Sequence, residues 1–226
     1  EKSLEYFTRA LSLHEELGDR SGVAGVTGNI GNVYKGLSDY AKSLEYYTRA
    51  LSLHEELGER SGVAIATGSI GNVYQGLSDY AKSLEYYTRA LSLFEELGER
   101  SGVASVTGNI GAVYLGLSEY EKSLEYYTRA LALREELGER SRVASVTGNI
   151  GTLYAEKSFA DYNPTKAEEL ILQAISLNEE LGTKNQLYEN HQALANLYEQ
   201  ENRFEEALAH HKKFHEVFQE VQSEEA

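Results

Sequence analysis

The nine-residue sequence SLEYYTRAL at positions 43–51 recurs letter for letter at 83–91 and 123–131, which defines a period of 40 residues. A second stretch, ELGERSGVA at 56–64, recurs at 96–104 with the same spacing. A fixed period of this size is typical of tandem repeats, in which each unit buries its apolar face against its neighbours. We therefore expect function to reside in the extended surface of the stack rather than in an enclosed catalytic pocket.

The spacing of apolar residues predicts two helices in each repeat. Apolar side chains recur at intervals of mostly three and four residues, which places them on one face of a helix. In the first helix these residues are Val23, Val26, Ile30, Val33 and Leu37, and in the second they are Tyr40, Leu44, Tyr47, Leu51 and Leu57.

Small polar residues and glycines mark the expected helix ends. Ser21 and Ser38 are the predicted N-caps, because a serine hydroxyl can accept a hydrogen bond from an unpaired backbone N–H. Gly36 and Gly58 are expected to end the two helices in a left-handed conformation. The connecting turns are then so short that consecutive helices must run antiparallel.

The order of small and large residues in each unit resembles the tetratricopeptide repeat. In that consensus a Leu-Gly pair is followed by two aromatic residues, a small residue, a third aromatic residue and Ala-Leu. The corresponding residues here are Ile30-Gly31, Tyr34, Tyr40, Ser43, Tyr47 and Ala50-Leu51, with copies one and two periods later. The unit departs from the consensus in its greater length and in Glu55, which stands where proline usually ends the second helix.

This longer form is similar to the repeats of kinesin light chain, of the spindle-orientation adaptor that links heterotrimeric G proteins to the mitotic apparatus, and of many bacterial signalling proteins. The resemblance implies an all-α, right-handed superhelical solenoid of antiparallel helix pairs, with about 11 helices. We expect one domain over residues 1–226, consisting of an orphan second helix at 1–19, repeats at 20–59, 60–99, 100–139 and 140–183, and a divergent C-terminal capping repeat at 184–226.

Two further segments depart from the regular pattern. Residues 157–164 interrupt the fourth repeat, and Pro164 suits the first turn of the helix that follows. This segment is either a lengthened turn or a loop that touches a ligand or a neighbouring domain. Residues 210–218 resemble the segment that closes the repeat region in bacterial sensor kinases and nucleotide cyclases.

The chain has no methionine and opens in mid-repeat, from which we expect a fragment of a longer protein.

Composition restricts the classes of partner. The chain has no cysteine, which excludes disulfides and thiolate metal sites. No apolar run approaches the ~18 residues of a membrane span, so we expect no membrane partner. The net charge of −15 argues against nucleic acid and favours a neutral to basic protein or peptide. Acidic faces that merely keep the repeats soluble are the alternative. We expect a cytoplasmic location, because the chain has no cysteine and because proteins of the family it resembles are typically cytoplasmic.

The sequence contains little that indicates a catalytic or metal-binding site. The glycines within residues 27–32 lack the Lys-Ser/Thr pair that a phosphate-binding loop requires. His211 and His215 share a helical face, but two histidines alone bind a metal loosely. We therefore expect no catalytic residue, no metal site and no cofactor, and we predict that the chain is not an enzyme.

The first helices of the repeats carry the predicted binding site. In tetratricopeptide stacks these helices line a concave groove, on the face opposite the apolar stripe. A glycine in mid-helix costs ~1 kcal/mol relative to alanine, and those of this face leave a floor that another backbone can approach. The asparagines beside them offer both a donor and an acceptor. The predicted groove residues are Gly28, Asn29, Asn32, Lys35, Gly68, Asn72, Gln75, Gly108, Asn109, Gly148, Asn149 and Thr152.

The leading hypothesis is a non-catalytic protein–protein interaction scaffold that holds an extended peptide or protein segment in this groove. It would be the sensing or scaffolding part of a larger signalling protein. Only Lys35 is basic on this face, which disfavours capture of an acidic C-terminal tail. Alternatively, the asparagines and glycines recur only because one founder unit was recently duplicated, and each position was not separately selected for binding.

The second hypothesis is a self-assembly module that forms a homo-oligomer. The orphan helix at the start has no preceding helix to cover its apolar side, and exposed apolar patches favour association. The residues concerned are Leu4, Phe7, Leu11 and Leu13. The alternative face is the repeated tyrosine at positions 46, 86 and 126, because tyrosine is common at interfaces.

Overall fold

A computed structural model describes residues 2–225 of the chain. Within this range the chain forms eleven α-helices and no strand, which confirms the predicted fold class and helix count. The helices are α1 (Lys2–Leu17), α2 (Arg20–Gly36), α3 (Tyr40–Leu57), α4 (Arg60–Gly76), α5 (Tyr80–Leu97), α6 (Arg100–Gly116), α7 (Tyr120–Glu136), α8 (Arg140–Tyr154), α9 (Pro164–Leu181), α10 (Lys184–Gln200) and α11 (Phe204–Glu225). They group into two compact units, unit 1 up to Leu117 and unit 2 from Ser118 onward.

In unit 1 the paired helices touch where their sequences carry the smallest residues. A Cβ atom added to Gly31 of α2 would lie 2.8 Å from the ring of Tyr47 on α3, closer than real contacts allow. The hydroxyl of Ser43 donates a 2.9 Å hydrogen bond to the carbonyl oxygen of Gly31. The predicted close approach at Gly31 and Ser43 is therefore confirmed, and α4 and α5 repeat the same contacts.

The predicted apolar stripes form the core of unit 1. Ile30 and Val73 are almost completely buried, and Tyr47 is buried beside them. Leu37 is an exception, since 63% of its surface is exposed. It lies past the last turn of α2, where the chain has already left the helical face that the stripe predicts.

Aspartates, rather than the predicted serines, cap α2 and α3. The side chain of Asp19 accepts a 3.0 Å hydrogen bond from the backbone N–H of Gly22, whereas Ser21 lies inside the first turn of α2. Asp39 caps α3 in the same way, and Ser38 lies one residue too early. The predictions at Ser21 and Ser38 were wrong because an aspartate within two residues of each serine accepts from the free N–H groups instead.

The left-handed residue after α2 is a serine, not the predicted glycine. Gly36 is the last residue of the helix, and Ser38 adopts the left-handed conformation at φ 57°. Its backbone N–H donates to the carbonyl oxygen of Lys35, which closes the helix end. After α3 the prediction is confirmed, since Gly58 is left-handed at φ 69°.

Exposed ion pairs join the two helices of a repeat. Arg20 at the start of α2 pairs with Glu56 at the end of α3, and Arg60 pairs with Glu96 in the same positions one repeat later. These side chains are more than half exposed, so each pair contributes at most about 1 kcal/mol. Glu56 and Glu96 are thus surface groups.

Helix α1 contains no buried residue. Leu13 is 54% exposed and Leu17 is 72% exposed. Leu4, Phe7 and Leu11 are half-buried, because α2 covers only one side of the helix. The predicted apolar exposure of this helix is therefore present.

The inserted segment of the fourth repeat packs inside unit 2. The ring of Phe159 is only 3% exposed and lies 5.8 Å from the ring of Tyr120 and 5.7 Å from that of Tyr154, between centroids. The hydroxyl of Tyr162 donates a hydrogen bond to Glu201 at the end of α10. The segment is a lengthened turn fixed by its own aromatic residues, and α9 then begins at Pro164, as predicted.

Candidate peptide-binding groove

A first cavity lies between α2 and α4 in unit 1, with a volume of about 290 Å³. Three of the predicted groove residues, Gly28, Asn29 and Asn32, line it from α2. From α4 it is lined by Ile65 and Ser69. Ile65 is 58% exposed, which is unusual for an isoleucine in the middle of a helix.

A second cavity of about 340 Å³ lies one repeat further along, between α4 and α6. The predicted residues Gly68, Asn72 and Asn109 line it. Ile65 and Ser69 line this cavity as well as the first, so the two cavities adjoin. We refer to these two cavities together as the unit 1 groove.

Three other predicted residues of unit 1 are not among the residues that line the groove. Lys35 and Gln75 are half-buried in the last turns of α2 and α4, and Gly108 is half-buried in α6. Among the described residues, no lysine or arginine lines the groove.

Asn32 of α2 forms a hydrogen bond with a buried tyrosine that also lines the first cavity. The hydroxyl of Tyr47 donates a 2.6 Å hydrogen bond to the amide oxygen of Asn32. Burial raises the pKa of the Tyr47 hydroxyl, which therefore stays protonated and remains a donor. The amide nitrogen of Asn32 contacts no partner in the described part of the chain, and Asn32 is exposed. Asn32 is thus anchored by its oxygen and offers its N–H groups to the cavity.

In the second cavity the amides also bond to one another. The hydroxyl of Tyr87 lies 2.6 Å from the amide oxygen of Asn72 and 2.7 Å from that of Gln75, so the two oxygens share its one proton. The amide nitrogen of Asn109 donates to the oxygen of Asn72 at 3.0 Å. This network links α4 to α6 and orients the amides. The sequence showed the amides but gave no sign that the buried tyrosines hold them.

In unit 2 the predicted glycine floor is covered. A Cβ atom at Gly148 would lie 2.5 Å from the side-chain oxygen of Asn190, which lies on α10. The open floor predicted at Gly148 was therefore wrong, because the divergent last repeat places a longer side chain there. Asn149 is exposed, and the hydroxyl of Thr152 donates to the backbone oxygen of Gly148 at 3.1 Å.

The described part of the chain contains neither a metal-binding cluster nor a membrane-spanning helix. Within residues 2–225, no group of three or more His, Asp and Glu side chains could hold a metal ion. His211 instead contacts the carboxylate of Glu199 at 2.9 Å. None of the described helices has the length and apolar character that crossing a bilayer requires.

Sequence comparison decides the family. The profile of the tetratricopeptide repeat matches residues 1–56, 22–96, 62–136 and 102–158, and a second tetratricopeptide profile matches 191–214. The chain belongs to the tetratricopeptide repeat family. Tetratricopeptide repeats are in general non-catalytic interaction scaffolds, and no catalytic family is indicated for this chain. No protein with a curated function matches it.

Solved tetratricopeptide structures share the fold at low sequence identity. BtubC (BKLC) from P. vanneervenii is 19% identical with a TM-score of 0.75, over 98% of this chain and 91% of that protein. The apo form of RapI is 17% identical with a TM-score of 0.80, over 98% and 77%. A Rap protein complexed with Competence and Sporulation Factor is 14% identical with a TM-score of 0.67, over 97% and 70%. At these identities the similarity concerns the fold alone.

Proposed function

We propose that this tetratricopeptide module binds an extended, neutral to basic peptide or protein segment in the unit 1 groove, without catalysing a reaction. The observation that carries the proposal is the pair of adjoining cavities on successive first helices, which share Ile65 and Ser69. An extended chain passing over Ile65 would contact both cavities. Asn149 and Thr152 remain predicted contacts in unit 2.

The groove surface suits a peptide backbone. At Gly28 a Cβ atom would have only the Cβ of Ala50 within 4 Å, at 3.9 Å, so the glycine leaves free space for a ligand. The N–H groups of Asn32 are available to a peptide carbonyl, and the exposed side chain of Ile65 offers an apolar contact. Backbone hydrogen bonds provide affinity in this mode of recognition, and side-chain pockets provide specificity.

Charge favours a neutral to basic partner over an acidic one. The chain carries a net charge of −15, and its acidic surface attracts basic ligands over long range. The Rap protein that shares this fold is complexed with Competence and Sporulation Factor, which supports ligand binding by such a stack. We extend the proposal to a sensing or scaffolding role within a larger signalling protein.

The proposal is tested by selecting peptides from a random 12-residue library on the full chain and measuring their affinity by fluorescence anisotropy. Ile65→Glu places a charge between the two cavities and is expected to weaken binding at least about tenfold. The double variant Asn72→Ala/Asn109→Ala should weaken the same peptides. Leu172→Glu is the matched control, because Leu172 is 42% exposed on α9 and is not among the residues that line the groove. Equal affinity of wild type and both groove variants would reject the groove.

A second candidate function is self-association through α1. It is favoured by the lack of any buried residue in that helix and by the exposure of Leu13 and Leu17. Light scattering over a range of concentrations should then show a mass that rises with concentration. The double variant Leu13→Glu/Leu17→Glu is expected to stay monomeric, and a constant wild-type mass excludes this function.

A further inference from the structure

One acidic residue recurs where each second helix passes into the next first helix. It follows the left-handed glycine of the turn, and its copies are Asp19, Glu59, Glu99 and Glu139. In the first two copies a histidine on the preceding helix holds the carboxylate. The Nδ1 atom of His14 lies 2.8 Å from Asp19, and that of His54 lies 2.7 Å from Glu59.

The third copy lacks this partner. Phe94 occupies the position that His54 has one repeat earlier, and phenylalanine cannot pair with a carboxylate. Within the described residues, the side chain of Glu99 makes no ion pair and no hydrogen bond, although the residue is half-buried. In the first two copies a histidine of the chain itself contacts the carboxylate, whereas that of Glu99 remains available.

The unpaired carboxylate borders the groove. Phe94 and Glu99 both line the second cavity, together with Ser101, Ser105 and Asn109. Phe94 is 5% exposed, so its ring is held in place while part of it borders the cavity. An aromatic ring and a free carboxylate at one cavity are the two groups that recognise a guanidinium ion, which pairs with carboxylates and packs against aromatic rings.

We infer that Phe94 and Glu99 form a subsite for an arginine side chain of the segment bound in the groove, an inference that rests on the proposed function. The fourth repeat shows that the acidic position accepts a guanidinium. There Arg134 replaces the histidine and forms an ion pair with Glu139, and Arg134 is only 3% exposed. At Glu99 the ligand supplies the guanidinium that Arg134 supplies in the fourth repeat.

Exchange of one residue should move the subsite between repeats. Helices α3 and α5 differ only in His54 and Phe94, and each ring packs on a glycine of the next helix, Gly62 or Gly102. Each ring should therefore fit at the other position. Phe94→His should give Glu99 an internal partner and close the subsite. His54→Phe should remove the histidine partner of Glu59, leave it only the hydroxyl of Ser21, and create a second, weaker subsite beside the first cavity.

The test uses N-acetyl-arginine amide as the probe and N-acetyl-citrulline amide as its neutral control, followed by backbone amide NMR shifts of the full chain. We expect saturable shifts around residues 94–109 with arginine and not with citrulline. Glu99→Gln and Phe94→His should each weaken arginine binding about three- to tenfold. Glu59→Gln is the matched control and should leave it unchanged. His54→Phe should add saturable shifts around residue 59.

The possible outcomes separate this inference from the proposed function. Equal shifts with citrulline, shifts that persist in Glu99→Gln, or no saturable shift with arginine would overturn the subsite. Peptide selection remains an independent measurement. If library peptides lose affinity in Ile65→Glu but not in Glu99→Gln, the groove is correct and the arginine subsite is wrong. If arginine binds at Glu99 while no peptide depends on Ile65, the proposed groove fails and the cation site stands alone.

Discussion

A Cβ atom at Gly71 would lie 2.7 Å from the ring of Tyr87, whereas one at Gly28 would have a single neighbour, at 3.9 Å. Gly71→Ala should therefore force the tyrosine out of position and destabilise the protein by about 1–3 kcal/mol. Gly28→Ala should stabilise it by about 1 kcal/mol, because alanine is the better helix former and meets no obstacle. Urea unfolding followed by circular dichroism measures both changes. Equal effects of the two substitutions would contradict this account.

Serines in a left-handed conformation should be points of strain. Ser38 and Ser78 have φ values of 57° and 58°, which a residue with a Cβ atom adopts at a cost. Replacement of either serine by glycine is expected to raise the free energy of unfolding by about 1 kcal/mol. Ser38→Ala is the control, because alanine keeps the Cβ atom. If thermal melts show that Ser38→Ala and Ser38→Gly stabilise the protein equally, the gain does not come from relief of left-handed strain.

A buried histidine pair should make unit 2 sensitive to acid. His191 is 2% exposed, and its Nδ1 lies 3.0 Å from that of His210 on α11. Burial, together with nearby His210 and Lys213, lowers the pKa of His191 to about 4 from its ordinary value of 6.5. Because this pKa is depressed in the folded state, the stabilising contribution is full above pH 6.5 and is lost as the pH falls toward 4.

The expected loss from this histidine is about 2 kcal/mol at about pH 5 relative to neutral pH. Urea unfolding at the two pH values measures the loss, and His191→Gln, which cannot titrate, should reduce it. His211→Gln serves as the matched control, since His211 contacts Glu199 on a more exposed face. An unchanged pH dependence in His191→Gln would show that other groups carry the acid sensitivity.

The inserted segment of the fourth repeat should be necessary for the stability of unit 2. Phe159→Ala removes a ring that is 3% exposed and contacts two tyrosines, so we expect a loss of about 3–5 kcal/mol. Asp161→Ala changes an exposed side chain in the same segment and should have little effect. If both variants unfold at the same urea concentration, the segment is dispensable for folding.

The helical architecture was predictable because the 40-residue period and the three-four spacing of apolar residues act together in every repeat. The exact helix ends were not, because Ser38 and Asp39 are adjacent residues that both cap helices well, and only the backbone geometry selects Asp39. The single solenoid domain over the whole chain stays a prediction.

The groove was predictable in position but not in detail. The face of α2 that carries Gly28 and Asn32 follows from helical periodicity, and the structure places both residues at one cavity. The bond from Tyr47 to Asn32 joins two different helices, so spacing within one helix cannot reveal it. Asn190 covers Gly148 from a repeat whose sequence has diverged, where the period no longer predicts contacts.

The near-identity of α3 and α5 also affects how the protein reaches its folded state. Because their sequences differ only at His54 and Phe94, helix α2 would meet almost the same side chains on α5 as it meets on α3. The native arrangement then differs from one displaced by a whole repeat mainly in the length of chain between the paired helices. Closing the longer connection of the displaced form costs little additional free energy. Refolding is therefore expected to divide between the correct arrangement and slipped isomers, which slow the recovery of the native protein.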